Sequence, residues 1–264
     1  MIEGLVSVVM PTFNSRRFLA KSIESILNQT YTHLELLIVD DCSSDKNTID
    51  ILNSYAQKDN RVRVVFLQAN GGPGVARNVA IEQAQGQYIA FCDSDDRWMP
   101  NKLEVQLDAM RKGGYALCCS SYLICDDSDR VVGVNIAPSE ITFGMMKCDN
   151  KVGCLTAIYD VKALGQKFYM PTIRKRQDWA LFLAITAKCR HAIGIQEPLA
   201  YYRRRNNSVS SKKLSLVKYN IAIYRDCLHF SRLKSLTYFM FCFLPTYFAK
   251  VMKQKIDSRR YINK

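Results

Sequence analysis

The sequence lacks the cysteine spacing that is typical of structural metal sites and disulfide frameworks. Its 10 cysteines include no CxxC pair, and Cys118 and Cys119 are adjacent, which suits neither a shared metal nor an easy disulfide. The N-terminus also shows no basic stretch followed by a long apolar run, so we read no secretory signal. We therefore expect free, mostly buried thiols in a reducing cytoplasm.

Glycine and proline are few, at 12 and 7 of 264 residues, and 48% of the residues are hydrophobic against 23% charged. These figures exclude collagen-like, low-complexity and wholly disordered chains, and they fit one large α/β domain with or without an appendage. Two glycine motifs are missing as well. The first strand-to-helix turn has no GxGxxG, which disfavours a dinucleotide cofactor, and the chain has no GxxxxGK[ST] phosphate loop.

Acidic residues are scarce near the C-terminus. Residues 165–264 carry 21 basic and 4 acidic side chains, a net charge of +17, whereas residues 1–164 carry 16 basic and 20 acidic ones, a net charge of −4. A surface of this kind attracts polyanions such as nucleic acid, acidic lipid or phosphorylated substrates. Solubility alone is the competing interpretation of the same charge.

Apolar runs alternate with helical periodicities through the first hundred residues. Continuous apolar strands separated by helices predict a parallel sheet covered by helices on both faces. After Pro100 the pattern loosens into a helix, strands of antiparallel type around a turn at 126–129, a short helix at 179–188 and a helical tail from Leu214. The predicted strands of the first half are 5–10, 34–39, 62–67 and 88–92, and the predicted helices are 15–29 with Ser15 as N-cap, 46–57 and one that ends near 84.

Polar residues follow three of these strands at the point where each strand ends. They are Asn14 after the first strand, Asp41 after the second, and the acidic segment 93–96 after the fourth. Since ligands of open parallel sheets bind at the carboxyl ends of the strands, we expect one site there. Asp93 and Asp95 have a spacing that can bind a hard divalent cation together with diphosphate oxygens. A helix-capping turn is the alternative for this acidic segment.

The ordered series of motifs resembles glycosyltransferase family 2, the inverting nucleotide-sugar transferases with the GT-A fold. The resemblance covers about residues 4–210 and favours the members that build bacterial O-antigen and other surface polysaccharides. Any one segment is weak, but all occur in family order and at family spacing. The segments are 6–14 (VSVVMPTFN), 29–31 (QTY), 39–45 (VDDCSSD), 71–78 (GGPGVARN) and 93–96 (DSDD).

The resemblance implies an α/β fold of GT-A type, in which a Rossmann-like, mostly parallel sheet is flanked by helices. It implies a nucleotide-sugar-binding half at residues 1–100 and a mixed half at 101–210 that binds the acceptor and carries the catalytic base. We expect the remaining residues, 211–264, to form a basic, amphipathic helical tail that associates with a membrane.

Roles for single residues in nucleotide binding follow from the same resemblance. Pro11 and Asn14 would line the nucleotide pocket at the end of the first strand. Asp41 would accept a hydrogen bond from uracil N3, which favours a UDP-sugar as donor. Arg77 would contact the diphosphate or the sugar, a role that suits a planar cation.

The resemblance also implies a divalent cation, Mn²⁺ or Mg²⁺. Asp95 would be its direct ligand and Asp93 a second one, and Asp93 and Ser94 would lie near the ribose and the metal. The chemical need comes from the leaving group, a nucleoside diphosphate whose negative charge grows as the sugar departs.

The predicted general base lies later in the chain. Asp178 matches the family position that takes the proton from the acceptor hydroxyl as that oxygen attacks the anomeric carbon. A favourable charge at a helix N-terminus is the competing role for Asp178. Gln177 departs from the glutamate that is common there. Arg205 stands where relatives often have a histidine, so Arg205 would bind the diphosphate directly and not the metal.

Residues 235–249 form an uncharged aromatic run that is too short to span a bilayer, which needs about 20 apolar residues, and Pro245 interrupts it. We expect an in-plane anchor on anionic lipid at the cytoplasmic face of the inner membrane. A helix packed on the catalytic domain, or an oligomer interface, is the alternative. The cations that flank the run are Arg232, Lys234, Lys250, Lys253, Lys255, Arg259 and Arg260.

Together these features predict a metal-dependent inverting hexosyltransferase that moves a hexose from a UDP-sugar to a lipid-linked (undecaprenyl-diphosphate) saccharide. Two other classes stay open. A nucleic-acid-binding module would use the basic C-terminal third, but that segment has no recognition helix or RNP-like strand, so we expect no nucleic-acid partner. A non-catalytic membrane scaffold of the same fold would not need the complete aspartate series or Asp178.

Overall fold

The computed structural model describes residues 1–204 and 213–263. Ten strands in this part of the chain form one mixed sheet with helices on both faces. Strands β1 to β10 are Ile2–Thr12, Leu34–Asp40, Val62–Phe66, Gly86–Phe91, Arg97–Trp98, Leu117–Cys125, Val131–Asn135, Glu140–Thr142, Ile158–Asp160 and His191–Arg203. Helices α1 to α10 are Leu19–Leu27, Lys46–Lys58, Pro73–Gln83, Lys102–Gly113, Phe143–Cys148, Val161–Leu164, Gln177–Cys189, Lys213–Ala222, Arg232–Tyr238 and Leu244–Ile262.

The strand order is β3-β2-β1-β4-β9-β6-β10-β5, with β7 paired to β6 and β8 paired to β10. Strands β1 to β4 are mutually parallel where they pair, and the short strand β9 joins them to β6 in antiparallel fashion. The predicted helix-flanked, mostly parallel sheet with a mixed second half is therefore confirmed. The carboxyl ends of β1, β2 and β4 lie side by side at one edge.

The first four strands form because their apolar residues are buried on both faces. All seven residues of β2 and all six of β4 are buried. Helix α1 covers them with one apolar face that includes Leu19, Ile23 and Ile26. The predicted helix start at Ser15 is wrong, since α1 begins at Leu19 with Phe18 as N-cap. The hydroxyl of Ser15 lies 2.8 Å from that of Ser94 and so joins two strand ends.

The core has two parts, one on each side of the sheet. One part packs under α1 and α4, and the other packs under α3 and α7. The second part also contains aromatic residues of the C-terminal tail: the ring of Phe243 stacks on that of Trp179 at 5.6 Å, and the ring of Tyr224 meets Trp179 edge-on at 6.0 Å. The side of the tail that carries Tyr224 and Phe243 therefore packs on the sheet-containing domain.

The C-terminal tail is built from helices interrupted by wider turns. Residues 223–227 and 239–243 are π-helical, and the second π turn joins α9 to α10 without a break. The predicted tail from Leu214 is helical in the described residues apart from 228–231 and 263, and the expected boundary between 210 and 211 lies outside the described residues. None of the helices within residues 1–204 and 213–263 combines the length and the apolar content that a bilayer span requires.

Strand β10 is the largest element that the sequence pattern does not indicate. Its alternation is broken around Pro198, where the register of its parallel pairing with β6 shifts. The strand is nevertheless important for the site, because its last residue, Arg203, lies beside the acidic segment 93–96.

Candidate active site

The polar strand ends open into one cavity of about 1820 Å³. Among the predicted site residues, Asn14 does not line it, and Arg205 lies outside the described residues. Gly153, Cys154 and Leu155 also line the cavity. The predicted site residues that line the cavity are Pro11, Asp41, Arg77, Asp93, Ser94, Asp95 and Asp178.

Asn14 ties together the loops that follow β1 and β2. Its side-chain oxygen accepts hydrogen bonds from the backbone N–H groups of Ser44 and Asp45, both at 3.0 Å. Its own backbone N–H donates to the hydroxyl of Ser43 at 2.8 Å. Asn14 has a φ of 46°, in the left-handed region that asparagine tolerates better than most residues. The structure thus gives Asn14 a loop-holding role, and its expected contact with the nucleotide stays a prediction.

Asp41 holds the glycine-rich turn before α3. One carboxylate oxygen accepts from the N–H of Gly71 at 2.7 Å and the other from the N–H of Gly72 at 2.8 Å. Gly72 has a φ of 86°, which a residue with a side chain rarely adopts. The Asp41 carboxylate is 3% exposed and still has free lone pairs, since a carboxylate offers about four acceptor positions. Its predicted hydrogen bond to uracil is compatible with this geometry but is not tested by it.

Arg77 projects from α3 to the acidic segment, where its Nη2 lies 2.5 Å from Oδ1 of Asp93. Burial alone would lower the pKa of this guanidinium, but the carboxylates of Asp93 and Asp178 outweigh it and raise the pKa. Its buried Nε has no hydrogen-bond partner among the described residues. Arg77 is therefore a fixed positive charge between Asp93 and Asp178.

The acidic segment 93–96 is locked by its neighbours on both sides. The hydroxyl of Ser22 donates to the carbonyl of Ser94 at 3.0 Å and to that of Asp96 at 2.6 Å. Asp96 is 2% exposed and accepts the backbone N–H of Arg203 at 2.9 Å. Burial first, and then the charges of Asp95 and Asp93, raise the pKa of the Asp96 carboxyl. The carboxyl groups of Asp93, Asp95 and Asp96 thus lie close together at one end of the cavity.

The donor set at this end suits a divalent cation only in part. Asp93 and Asp95 both line the cavity, but no group of three or more His, Cys, Asp or Glu side chains within residues 1–204 and 213–263 has the geometry of a metal site. A hard cation takes about six oxygen ligands, and Mg²⁺ is commonly held by one or two carboxylates plus substrate phosphates. The two aspartates therefore fit a cation that shares its coordination with a bound diphosphate, and they do not fit a closed site.

Arg203 is a buried residue of this site that the sequence did not single out. Its side chain is 1% exposed and its guanidinium lies 3.9 Å from the ring centre of Phe18. Nε donates to the carbonyl of Asp95 at 3.1 Å, Nη1 donates to the carbonyl of Asp126 at 2.8 Å, and Nη2 pairs with the carboxylate of Asp129. Arg203 therefore fixes the backbone of Asp95, the residue that is predicted to bind the cation.

Asp129 also has more than the turn-forming role that its sequence context indicates. It accepts from Lys21 at 2.8 Å, and it pairs with Arg97 and Arg203. The hydrogen bond from Lys21 and the nearby arginines lower the pKa of Asp129 to about 2 although its partial burial opposes the shift. The turn at 126–129 is therefore an anchor for β10 and for the acidic segment.

Asp178 lies in the first turn of α7, at the opposite wall of the cavity. Its Oδ2 accepts a hydrogen bond from Nδ2 of Asn150 at 2.9 Å. This position is favourable for a negative charge because of the helix dipole, and the role of Asp178 as general base stays a prediction. The electrostatic effect of Asp178 on Arg77 shows that the two are close enough for their charges to interact.

The C-terminal helix α10 forms a wall of the same cavity, which the sequence did not predict. Nζ of Lys250 donates to Oδ2 of Asp149 at 2.9 Å and to the carbonyl of Asn150 at 2.8 Å. The hydroxyl of Ser258 accepts from the N–H of Val134 in β7 at 3.0 Å. The tail thereby reaches the loop that carries the Asn150 partner of Asp178. The residues of α10 in the wall are Thr246, Ala249, Lys250, Lys253, Gln254 and Asp257.

Comparisons with known proteins agree on one family. Residues 7–167 match the family model described as glycosyl transferase family 2. A putative teichuronic acid biosynthesis glycosyltransferase of Bacillus subtilis, TuaG, is 42% identical over 87% of this chain and 92% of its own length. The Escherichia coli protein WfgD, named as a UDP-Glc:α-D-GlcNAc-diphosphoundecaprenol β-1,3-glucosyltransferase, is 35% identical over 83% of this chain and 84% of its own length.

Solved structures share the fold at lower sequence identity. Residues 1–349 of Staphylococcus aureus TarS, in complex with UDP, superpose with a TM-score of 0.66 and 22% identity over 88% of this chain and 69% of that one. The mannosyltransferase PcManGT of Pyrobaculum calidifontis, in complex with GDP-Man and Mn²⁺, superposes with a TM-score of 0.62 and 17% identity over 94% of this chain and 74% of that one. The GT-A architecture expected from the motifs is confirmed.

Proposed function

The chain belongs to glycosyltransferase family 2, and on that premise we propose that it moves a hexose from a UDP-sugar, with inversion, to an undecaprenyl-diphosphate-linked saccharide in bacterial surface polysaccharide synthesis. The observation that carries the proposal is the convergence of Asp93, Arg77 and Asp178 on one cavity. The names of two E. coli relatives, WfgD and WfaP, support a UDP-sugar donor and a lipid-diphosphate acceptor.

The proposed reaction is an in-line displacement at the anomeric carbon. Asp178 removes the proton of the acceptor hydroxyl as that oxygen forms its bond to the anomeric carbon. The bond from the anomeric carbon to the diphosphate breaks, and its electron pair leaves on the diphosphate oxygen. Asn150 orients the Asp178 carboxylate by its 2.9 Å hydrogen bond, so the second oxygen is free to face the acceptor.

The leaving diphosphate needs positive charge at the acidic end of the cavity. Arg77 lines the cavity and supplies a permanently charged guanidinium there, a group that can donate to phosphate or sugar oxygens. A divalent cation, Mn²⁺ or Mg²⁺, held by Asp95 and Asp93 would neutralise the charge that develops on the diphosphate. Pro11 and Asp41 would line the uracil side of the donor site.

Substitution of the proposed base tests the reaction directly. We expect Asp178→Asn to lower kcat by on the order of 10³-fold, since it removes the proton acceptor. UDP affinity measured by calorimetry should stay within about twofold of the native value, because the affected group faces the acceptor. The assay combines a UDP-hexose panel, a lipid-diphosphate saccharide and Mn²⁺. Substantial turnover by the variant would exclude Asp178 as the base, and no product from any native pairing would refute the transfer.

We propose that the C-terminal helices dock on an anionic membrane, which is where a lipid-linked acceptor resides. The outer side of the tail exposes Phe241, Phe248, Met252 and Ile256, by 77, 61, 65 and 47%. The spacing of these residues places them on one face of a helix. Basic side chains such as Arg259 flank the face, and a cationic edge along an apolar face is complementary to anionic headgroups.

Vesicle binding tests the membrane proposal separately from catalysis. The double variant Phe241→Asp, Phe248→Asp should lose most of its cosedimentation with phosphatidylglycerol vesicles, because it puts charges into the apolar face. Transfer to a short-chain acceptor in detergent should remain near the native rate. Equal cosedimentation of native protein with neutral phosphatidylcholine vesicles would contradict the role of the cations, and full vesicle binding by the variant would contradict the role of the face.

A further inference from the structure

The cavity is larger than one substrate requires. Sites for small ligands are commonly about 300–1,000 Å³, whereas this cavity measures about 1820 Å³. The residues proposed for the donor occupy the strand-end side, around Asp41 and Asp93. The wall also includes Lys151 and, from α10, Lys250 and Lys253. A second polyanion therefore has both room and opposite charge within the same cavity.

The three lysines carry more positive charge than their partners neutralise. Asp149 is 3% exposed and is shared by Lys250 at 2.9 Å and Lys151 at 3.5 Å. Burial is the main cause that lowers the pKa of Lys151, and the charge of Lys250 lowers it further although Asp149 opposes both. A bound anion would relieve this repulsion between two ammonium groups.

Lys253 extends the same basic surface by one helical turn. It lies three residues after Lys250 on α10 and forms a 3.3 Å ion pair with Asp257 on its own helix. Its side chain is 65% exposed. Such an ion pair contributes little and is readily exchanged for a stronger anion.

We propose that Lys151, Lys250 and Lys253 form a second diphosphate subsite, which binds the diphosphate of the lipid-linked acceptor. The inference rests on the proposed function. Two diphosphates cannot share the end of the cavity that holds Asp93, Asp95 and Asp96, since those carboxylates repel an anion that brings no cation with it. The ammonium groups of lysine bind phosphate as point charges without demanding a fixed orientation.

The position of the lysines also suits the two ends of such an acceptor. Lys250 bonds the carbonyl of Asn150, and the side chain of Asn150 bonds Asp178, so a diphosphate at the lysines leaves its first sugars near the base. Phe248 and Met252 lie on the outer side of the same helix. The lipid chain can therefore leave toward the proposed membrane face while the saccharide points into the cavity.

The test compares two acceptors that differ only in the diphosphate. One carries the saccharide on a short polyprenyl diphosphate and the other carries it on an alkyl chain without phosphate, both in neutral detergent. For Lys151→Gln and Lys253→Gln we expect kcat/KM for the diphosphate acceptor to fall about 10-fold, the size of one charge-assisted hydrogen bond. The value for the phosphate-free acceptor should stay unchanged.

The matched control is Lys112→Gln on α4. Lys112 is exposed and forms the same kind of ion pair along a helix, at 2.8 Å from Asp108, but it does not line the cavity. Lys112→Gln should leave kcat/KM unchanged for both acceptors. If kcat/KM falls equally for both acceptors in Lys151→Gln and Lys253→Gln, the lysines only support the fold. If kcat/KM falls for neither acceptor, the diphosphate binds elsewhere. Either result overturns the proposal.

A binding measurement keeps the subsite separate from the reaction. Inorganic pyrophosphate titrated into the UDP-saturated enzyme should bind at one site per molecule. Lys151→Gln and Lys253→Gln should each weaken that binding. If the native enzyme transfers no sugar but this binding is present, the proposed function fails while the subsite stands. Lys253→Gln could instead lose binding to phosphatidylglycerol vesicles while the ratio of kcat/KM for the two acceptors stays native. That result would assign Lys253 to lipid headgroups and overturn the proposal.

Discussion

The two sides of the cavity are held in different ways. At the proposed donor rim, formed by Asp41, Asp93 and Asp95, two glycine N–H groups hold Asp41 and buried arginines hold the other two residues. At the proposed acceptor rim, formed by Asp178 and Lys250 with their partners, the contacts come from more exposed side chains: Asn150 bonds Asp178, and Lys250 of the C-terminal helix bonds Asp149. The donor rim is therefore held from the buried side of the fold, whereas the acceptor rim depends on contacts nearer the surface, one of them from the C-terminal helix.

Arg77 is where the two rims meet, and its replacement should have the largest effect. Arg77→Met removes the positive charge that faces both Asp93 and Asp178, so we expect kcat to fall on the order of 10³-fold. Metal-dependent UDP affinity should fall as well, because Asp93 loses its partner at 2.5 Å. Steady-state kinetics and UDP calorimetry measure the two effects. A loss confined to UDP affinity would mean that Arg77 serves the donor rim alone.

The donor rim can be weakened by itself at Asp41. An asparagine in its place keeps one acceptor oxygen, so one of the two glycine N–H groups loses its partner. We expect UDP to bind about 10-fold more weakly, the effect of one buried unsatisfied donor. The KM of the acceptor should not change. Asp50→Asn, on the exposed side of α2, is the control and should be indistinguishable from native protein in both measurements.

The acceptor rim can be weakened at Asn150. Asn150→Ala removes the hydrogen bond to Asp178 but leaves the carbonyl that receives Lys250. We expect kcat to fall by about 10-fold, since bonds to charged groups are worth roughly 1.5–3 kcal/mol and part of this loss is replaced by water. UDP affinity should remain native. If UDP binding weakens as much as turnover, the rims are not independent.

The smallest effect is expected away from both rims, at Lys102 of α4, which is fully buried. Its Nζ lies 3.8 Å from the ring centre of Trp98 and has no hydrogen-bond partner among the described residues. Burial lowers the pKa of Lys102 to about 7, whereas the unfolded value is near 10.4. Between these two pH values the unfolded chain binds more protons than the folded chain. The free energy of unfolding should therefore increase steadily as the pH is raised from 7 toward 10.

Lys102→Met removes this titration. The variant should unfold with a free energy about 1 kcal/mol or more above native protein at pH 7, with a difference that shrinks toward pH 10. Urea unfolding at several pH values measures both quantities. Parallel pH profiles for the two proteins would show that Lys102 keeps an ordinary pKa.

The donor rim was largely predictable from the sequence because its residues directly follow buried strands. Asp41 and segment 93–96 follow from local order alone, whereas Arg77 was indicated only by the family resemblance. The bonds that complete the site join distant segments: Arg203 to Asp96, and Lys250 to Asp149. Nothing in the local pattern of β10 or α10 indicates such partners, since tertiary packing decides them.

The tail illustrates the same limit. Its apolar, aromatic composition fits both a membrane anchor and a helix packed on the domain, and these were separate alternatives at the level of sequence. In the structure Phe243 stacks against Trp179 while Phe241, two residues earlier, is 77% exposed. Composition does not reveal which side of a helix faces inward when both sides are apolar.

The π turn at 239–243 determines how helix α10, which follows it, is rotated about its own axis. Such a turn holds more residues than an α turn, so it determines which side chains of α10 point inward. Deleting one residue there would swing the helix by about 100°, carrying Lys250 away from Asp149 and turning Phe248 off the outer side. The chain end should thus accept many substitutions yet resist changes of length, and homologous tails should be exchangeable only when their residue count is preserved.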